Sequence, residues 1–293
     1  MKKSAIINWA LFLLLCFIWG SSFILMKEGL RQMTPLEVAA IRMISAGTIL
    51  IPFALKEIKK IPAFQFLMIV LSGLLGSFFP AILFCVAETK INSALAAMLN
   101  SLTPLFVLLT GLLFFKLTPS RNSLLGIFIG LTGMLLLFFH KGLYMEDSSV
   151  LYSGFILLAT LCYGLNVNII HTHLKGISSL QIASVAFVSL LPVSIALLWW
   201  KNPSFFQFEN KAFILAFTAS AVLGVFGTAI ASILFYMLLK RAGALFSSMV
   251  TYGIPVVAVG WGLMANEPIT AGELVGLFVI LTGVYLSNKK EAV

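Results

Sequence analysis

The sequence predicts an all-α integral membrane protein of ten transmembrane helices, arranged as two inverted five-helix repeats. Three observations predict it. Of 293 residues, 60% are hydrophobic and 10% charged; apolar runs long enough to cross a bilayer recur from end to end; and the first half of the chain matches the second with its loop charges exchanged. A soluble domain carries roughly 25% charged residues, and no soluble fold could hide this much apolar surface. A hydrocarbon core of roughly 30 Å takes about 20 residues of helix. Ten such spans use about 200 residues and leave no loop long enough for a folded extramembrane domain.

In chain order, the spans are expected at 6–26, 36–55, 64–87, 93–115, 122–139, 151–172, 179–200, 212–239, 244–264 and 271–287. The first follows Met1-Lys2-Lys3 and stays apolar to about Met26, longer than the roughly 7 to 15 residues of a secretory signal core. Thr34-Pro35 closes the gap before the second span, and Lys59-Lys60-Ile61-Pro62 the gap before the third. Thr118-Pro119 precedes the fifth span, Lys201-Asn202-Pro203 the eighth and Glu267-Pro268 the tenth. Proline and clustered polar groups are expensive in hydrocarbon, so they fall between spans. The Trp199-Trp200 pair ends the seventh span, where it suits the interfacial belt.

Loop charge orients the chain. With the amino terminus inside, the cytoplasmic segments hold twelve Lys or Arg residues: 2, 3, 56, 59, 60, 116, 121, 175, 240, 241, 289 and 290. The outer segments hold six, at 27, 31, 90, 141, 201 and 211. The positive-inside rule therefore places both termini in the cytoplasm of a cell whose inner membrane holds this multi-pass chain. The same distribution accounts for the formal charge of +9. Basic residues confined to short loops point to topology, so nucleic acid is not expected as a partner. Cys16, Cys85 and Cys162 lie singly in apolar runs and read as small packing residues.

The repeat pairs residues 1–145 with 146–293. At an offset of 144, Trp19-Gly20 meets Tyr163-Gly164, and Thr34-Pro35-Leu36-Glu37 meets Ser178-Ser179-Leu180-Gln181. At 151, Ile82-Leu83-Phe84 meets Ile233-Leu234-Phe235, Met98 meets Met249 and Pro104 meets Pro255. At 150, Gly126 and Leu131-Thr132-Gly133 meet Gly276 and Leu281-Thr282-Gly283. An odd number of spans per unit forces the second copy to cross in the opposite sense. The charges agree: the loop with Lys56, Lys59 and Lys60 is more basic than its counterpart at Trp200-Lys201-Asn202, while Glu88-Thr89-Lys90 gives way to Leu239-Lys240-Arg241. Two inverted halves can exchange conformations, which turns an outward-open cavity into an inward-open one. The plainer reading is that duplication only enlarged a bundle.

FIWGSSF at Phe17 to Phe23, Pro35-Leu36 followed by Arg42, and ALAAMLNSLTPLF at Ala94 to Phe106 resemble an EamA-type member of the drug/metabolite transporter superfamily. LFSSMVTYGIPVVA at Leu245 to Ala258, Glu267-Pro268 and GLFVILTGVYL at Gly276 to Leu286 are similar to that family's carboxy-terminal signature. The resemblance covers essentially the whole chain. It implies a ten-helix fold of inverted repeats around a central cavity, with export of metabolites or amino acids in many relatives. It implies no cofactor. One departure stands out: where the second half has Glu267, the first has Lys116-Leu117.

Polar groups inside spans are costly and mark candidate sites. Arg42 lies seven residues past Pro35, about 10 Å from the outer helix end at roughly 1.5 Å per residue. It either snorkels or pairs with Glu37 or Glu88, or it contacts solute. Asn100 and Thr103 flank Ser101 ahead of Pro104, and Thr251 and Tyr252 stand at the matching place ahead of Pro255. Each proline frees a backbone carbonyl, so these side chains either line a cavity or repair the backbone. Asn166 and Asn168 are two residues apart, about 200° around a helix. Asn166 is favoured for the cavity because it pairs with Ser22 across the repeat. Trp19, Tyr163 and Tyr236 suit aromatic walls. Such a cavity would draw on the first, third, fourth, sixth, eighth and ninth spans.

Gly126 and Gly130 form GxxxG, a close-packing motif. His140, His171 and His173 are too dispersed for a metal site. No P-loop or zinc-protease motif appears, and no deep His, Asp or Glu stands beside a serine, which argues against ATP-driven pumping and against enzymatic activity. The acids nearest the core, Glu37, Glu88 and Glu273, sit at span ends, which favours exchange or facilitated movement over tight proton coupling. Arg42 in an otherwise neutral cavity suits a zwitterion or a weak organic anion. The expected partners are a small-molecule substrate and the lipid bilayer, with the chain a monomer or homodimer.

Overall fold

The computed structural model describes residues 2–91, 93–140, 147–201, 210–264 and 271–288, and these are overwhelmingly helical. The first rod is α1 (Lys2–Leu30), the second α2 (Pro35–Glu57). The third is compound: α3 (Ala63–Gly73), a π-helical stretch (Leu74–Phe78) and α4 (Phe79–Ala87). The fourth is broken into α5 (Ser93–Asn100) and α6 (Thr103–Phe114), and α7 (Arg121–His140) follows. The second half opens with α8 (Asp147–His173) and a broken rod of α9 (Ser179–Ser189) and α10 (Leu191–Lys201). Then come α11 (Lys211–Val222), a second π-helical stretch (Leu223–Ile230) and α12 (Ala231–Ala242). The chain ends in α13 (Ala244–Ser248), α14 (Val250–Met264) and α15 (Ala271–Asn288).

Seven of these rods are long and apolar enough to cross a membrane: Ala5–Leu30, Pro35–Lys60, Ala63–Ala87, Ala96–Phe114, Leu151–His173, Ser179–Trp200 and Lys211–Ala242. The other three expected spans are helical as α7, α13 with α14, and α15. The Glu267-Pro268 motif and the last basic residues, Lys289 and Lys290, lie outside the described residues.

The breaks have local causes. Pro104 cannot donate an amide, so the fourth rod ends at Asn100 and restarts at Thr103, with Pro104 in the first turn where its missing N–H costs nothing. Pro80 likewise has no amide to return to Gly76, and the backbone ladder opens just before it into the π-helical stretch. Among the described residues, two helices start on capping boxes. Thr34 receives the Glu37 amide while the Glu37 carboxylate accepts the Thr34 amide at 2.7 Å, and Ser178 and Gln181 repeat the arrangement at 3.2 and 2.8 Å.

Packing follows small residues. Helices α7 and α15 run against each other so closely that a Cβ on Gly126 would stand 2.5 Å from the Gly283 carbonyl oxygen, and one on Gly133 2.8 Å from that of Gly276. This is the close approach expected of the GxxxG motif. The three cysteines are buried and unbridged. Large apolar side chains such as Leu13, Leu113, Phe114 and Phe278 are exposed on the outside of the bundle, where lipid is their natural solvent. Trp199 and Trp200 are exposed at the end of α10, where an interfacial belt would hold them.

Candidate functional site

At the centre of the bundle lies a cavity of about 100 Å³. Trp19, Ser22, Phe23 and Met26 reach it from α1, and Arg42 from α2. Asn100 and Thr103 line it from either side of the α5–α6 break, and Tyr163, Asn166 and Val167 from α8. The two π-helical stretches contribute Gly76 and Ser77 from one and Leu223, Gly227 and Thr228 from the other. Single-turn π geometry is common at functional sites because it re-aims side chains and frees carbonyls. Phe84 of α4 and Ser232, Phe235 and Tyr236 of α12, with Ser248, Thr251 and Ile254, complete the wall.

Nine of the ten residues singled out in the sequence therefore surround one cavity: Trp19, Ser22, Arg42, Asn100, Thr103, Tyr163, Asn166, Tyr236 and Thr251. Tyr252 does not. Its side chain is fully buried against Gly130 of α7, and its hydroxyl donates to the Ile127 carbonyl at 2.9 Å. One residue further along a helix is about 100° further around it, and here that step turns Tyr252 away from the cavity and onto α7. The second span, absent from the expected lining, supplies Arg42.

Arg42 does not pair with Glu37 or Glu88. Its Nε donates to Thr228 Oγ1 at 2.6 Å, and among the described residues no carboxylate lies within ion-pair distance of it. Glu37 serves its capping box. Glu88, just past the end of α4, is buried with Oε1 unpartnered and Oε2 3.5 Å from the Ser93 hydroxyl. Burial pushes its carboxyl up to about 8, against the pull of Lys27, the Ser93 hydrogen bond and Arg42. The side chain of Glu273 lies outside the described residues.

A second polar group forms one wall. Ser72 Oγ donates to Asn166 Oδ1 at 2.6 Å, and the Tyr236 hydroxyl is within hydrogen-bonding reach of Ser72, Asn166 and Ser232. A Cβ on Gly76 would collide with the Asn166 amide, so glycine there makes room for the network. Asn168 points the other way and clamps α8 to α6, its amide donating to Val107 O at 2.8 Å and Thr110 Oγ1 at 2.9 Å. Trp19 Nε1 donates to the Gly227 carbonyl at 3.0 Å in the second π-helical stretch.

Two of the residues around the helix breaks, Thr103 and Thr251, both line the cavity and mend backbone. Thr103 Oγ1 donates to Asn100 O at 2.7 Å and Thr251 Oγ1 to Ser248 O at 3.0 Å, repairing backbone while facing the cavity. Ser101 Oγ donates to Thr251 O at 3.1 Å and ties the two breaks together. Among the described residues, no group of three His, Cys, Asp or Glu side chains could hold a metal ion.

Residues 7–139 and, separately, 151–289 match the EamA-like transporter family. The chain is 23% identical over 296 residues to an uncharacterized transporter of Archaeoglobus fulgidus, covering 99% of this chain and all of that one. It also shares its fold with a protein of known crystal structure at a TM-score of 0.73 and 14% identity, covering 98% of this chain and 96% of the other.

Proposed function

Because the chain belongs to the EamA-like transporter family, we propose that it is a secondary carrier that exports small organic solutes, metabolites or amino acids among them, across the cell's inner membrane by alternating access. In this reading ten transmembrane helices form two inverted five-helix halves, residues 1–145 and 146–293, with both termini in the cytoplasm. The solute occupies the central cavity, and the chain performs no chemistry on it.

One observation carries the reading: the cavity wall is built from equivalent positions of the two halves. At an offset of 144, Trp19 and Tyr163, Ser22 and Asn166, and Phe23 and Val167 all line it. At 151, so do Gly76 and Gly227, Ser77 and Thr228, Phe84 and Phe235, Asn100 and Thr251, and Thr103 and Ile254. Even the contacts correspond, since Gly76 makes room for Asn166 and Gly227 for Ser22. A cavity on the relating axis of two halves is where rocking exposes one site to each side in turn. With no acidic side chain among its described lining residues, exchange or facilitated movement is favoured over tight proton coupling.

The test is counterflow. Growth of deletion and overexpression strains against toxic metabolites and amino acids identifies a solute, and purified protein in liposomes is loaded with it. Uptake of labelled solute is expected to saturate and to accelerate with unlabelled solute inside. Flux that stays proportional to concentration and shows single-channel conductance would show a pore and end the carrier reading.

A further inference from the structure

Among its described lining residues the cavity holds one full charge, Arg42, and no carboxylate. Arg42 stands seven residues into α2 from Pro35, about 10 Å along the helix. Thr228 is its sole hydrogen-bond partner among the described residues, and only Nε is used. Four of the five guanidinium N–H donors therefore await an acceptor. A second donor belongs to the same lining: Asn100, whose amide nitrogen has no hydrogen-bond partner among the described residues. A charge inside a bilayer is costly enough that its partner is a functional question.

The fold does not require a cation at this place. The 144-residue offset puts Ala186 where the first half has Arg42, and both sit against equivalent glycines, Gly73 beside Ala186 and Gly224 beside the Arg42 backbone. One half packs there with a methyl group; the other adds a guanidinium that extends to the cavity. The same lining carries a cluster of apolar and aromatic side chains. Trp19 and Phe235 are 5.3 Å apart between ring centroids, and Phe84 is 6.2 Å from both Phe23 and Tyr163.

Resting on the carrier reading, we propose that the transported solute is a small organic monoanion with an aromatic or branched apolar body, its carboxylate held by Arg42 and the Asn100 amide. A guanidinium binds carboxylate through two parallel hydrogen bonds, and the attraction is strong where water is scarce. A zwitterion gains less, because its ammonium group meets no carboxylate in the described lining. A cationic solute is repelled.

Four probes of nearly the same shape separate these cases: 3-phenylpropionate, its neutral amide, L-phenylalanine and phenethylammonium, titrated calorimetrically into the full-length protein in lipid nanodiscs. Phenylpropionate is expected to bind at least tenfold more tightly than the amide, and more tightly than either ammonium-bearing probe. Arg42→Gln should bring phenylpropionate down to the affinity of the amide without moving the amide. Arg42→Lys should keep most of the preference, and Thr228→Val should weaken it a few-fold. If Arg42→Gln does not fold, Thr228→Val and Asn100→Ala carry the test, each lowering anion affinity alone.

The proposal falls if the amide or phenylalanine binds as tightly as the anion, if Arg42→Gln keeps the preference, or if none of the four binds. Saturable counterflow of a neutral or cationic solute would keep the carrier and reject the anion. Arg42-dependent binding of phenylpropionate without its counterflow would keep the site and reject the carrier.

Discussion

Single polar side chains in an apolar helix decide most of what happens at the residue scale. Glu88 shows how far burial reaches, because its carboxyl is pushed up to about 8 just past the end of α4. Between the ordinary carboxylate value of 4.5 and about 8, the folded chain keeps a proton that an unfolded chain releases. The folded state therefore loses stability as pH rises through that window and loses no more above it. Glu88→Gln cannot ionise, so its melting temperature should change less between pH 5 and 8 than the parent's, with the widest gap at pH 8; parallel curves would show that burial does not hold the proton. The same physics made the site legible. Arg42, Asn100 and Asn166 stand out in sequence because hydrocarbon gives such groups no partner. Ser72, Ser77, Thr228 and Ser232 gave no signal, since a hydroxyl can satisfy itself on its own helix, as Ser220 does on Ala216 O at 2.9 Å. Tyr252 was misplaced because a sequence position beside Pro255 does not tell which side of the helix a residue occupies.

At the scale of elements, the spans were legible from hydropathy and proline, and their interruptions only partly. Pro104 marks the α5–α6 break, but nothing in Leu223 to Ile230 announces a π-helical stretch without proline. Its ladder shifts where α12's rod meets α2, with Gly224 against the Arg42 backbone, so tertiary contact and not local preference places it. The two capping boxes are the opposite case, local signals that the fold keeps. The second also joins the halves: Gln181 completes its box through Oε1 and spends its amide on Glu57 Oε2 at 2.6 Å, linking the start of α9 to the end of α2. Thr34→Ala and Ser178→Ala should each lower stability by about 1 kcal/mol, and the double substitution by the sum, because the two caps share no partner. Denaturation of the purified protein in detergent measures it. An effect of either single variant that equals the double would mean that the caps unfold as one unit.

At the scale of the molecule, the proposed mechanism depends on the two halves crossing the bilayer in opposite senses. The positions at which this can be read are exposed lysines in corresponding halves: Lys59 and Lys90 in the first, Lys175 and Lys211 in the second. If the halves are inverted, Lys59 follows a span that ends inside and Lys90 one that ends outside, while Lys175 lies inside and Lys211 outside. Substituting each by cysteine gives four reporters over little background, because Cys16, Cys85 and Cys162 are buried. A membrane-impermeant maleimide should label Lys90→Cys and Lys211→Cys in intact cells, and Lys59→Cys and Lys175→Cys only after permeabilisation. The pairing matters more than any one result. Lys59 and Lys211 labelling from the same face would require an even number of crossings where the inverted arrangement needs an odd one. The pairs that line the cavity, Asn100 with Thr251 and Phe84 with Phe235, would then be related by a rotation about the membrane normal. Such a rotation leaves both halves facing the same compartment, so exchanging their conformations could not open the site to the other side.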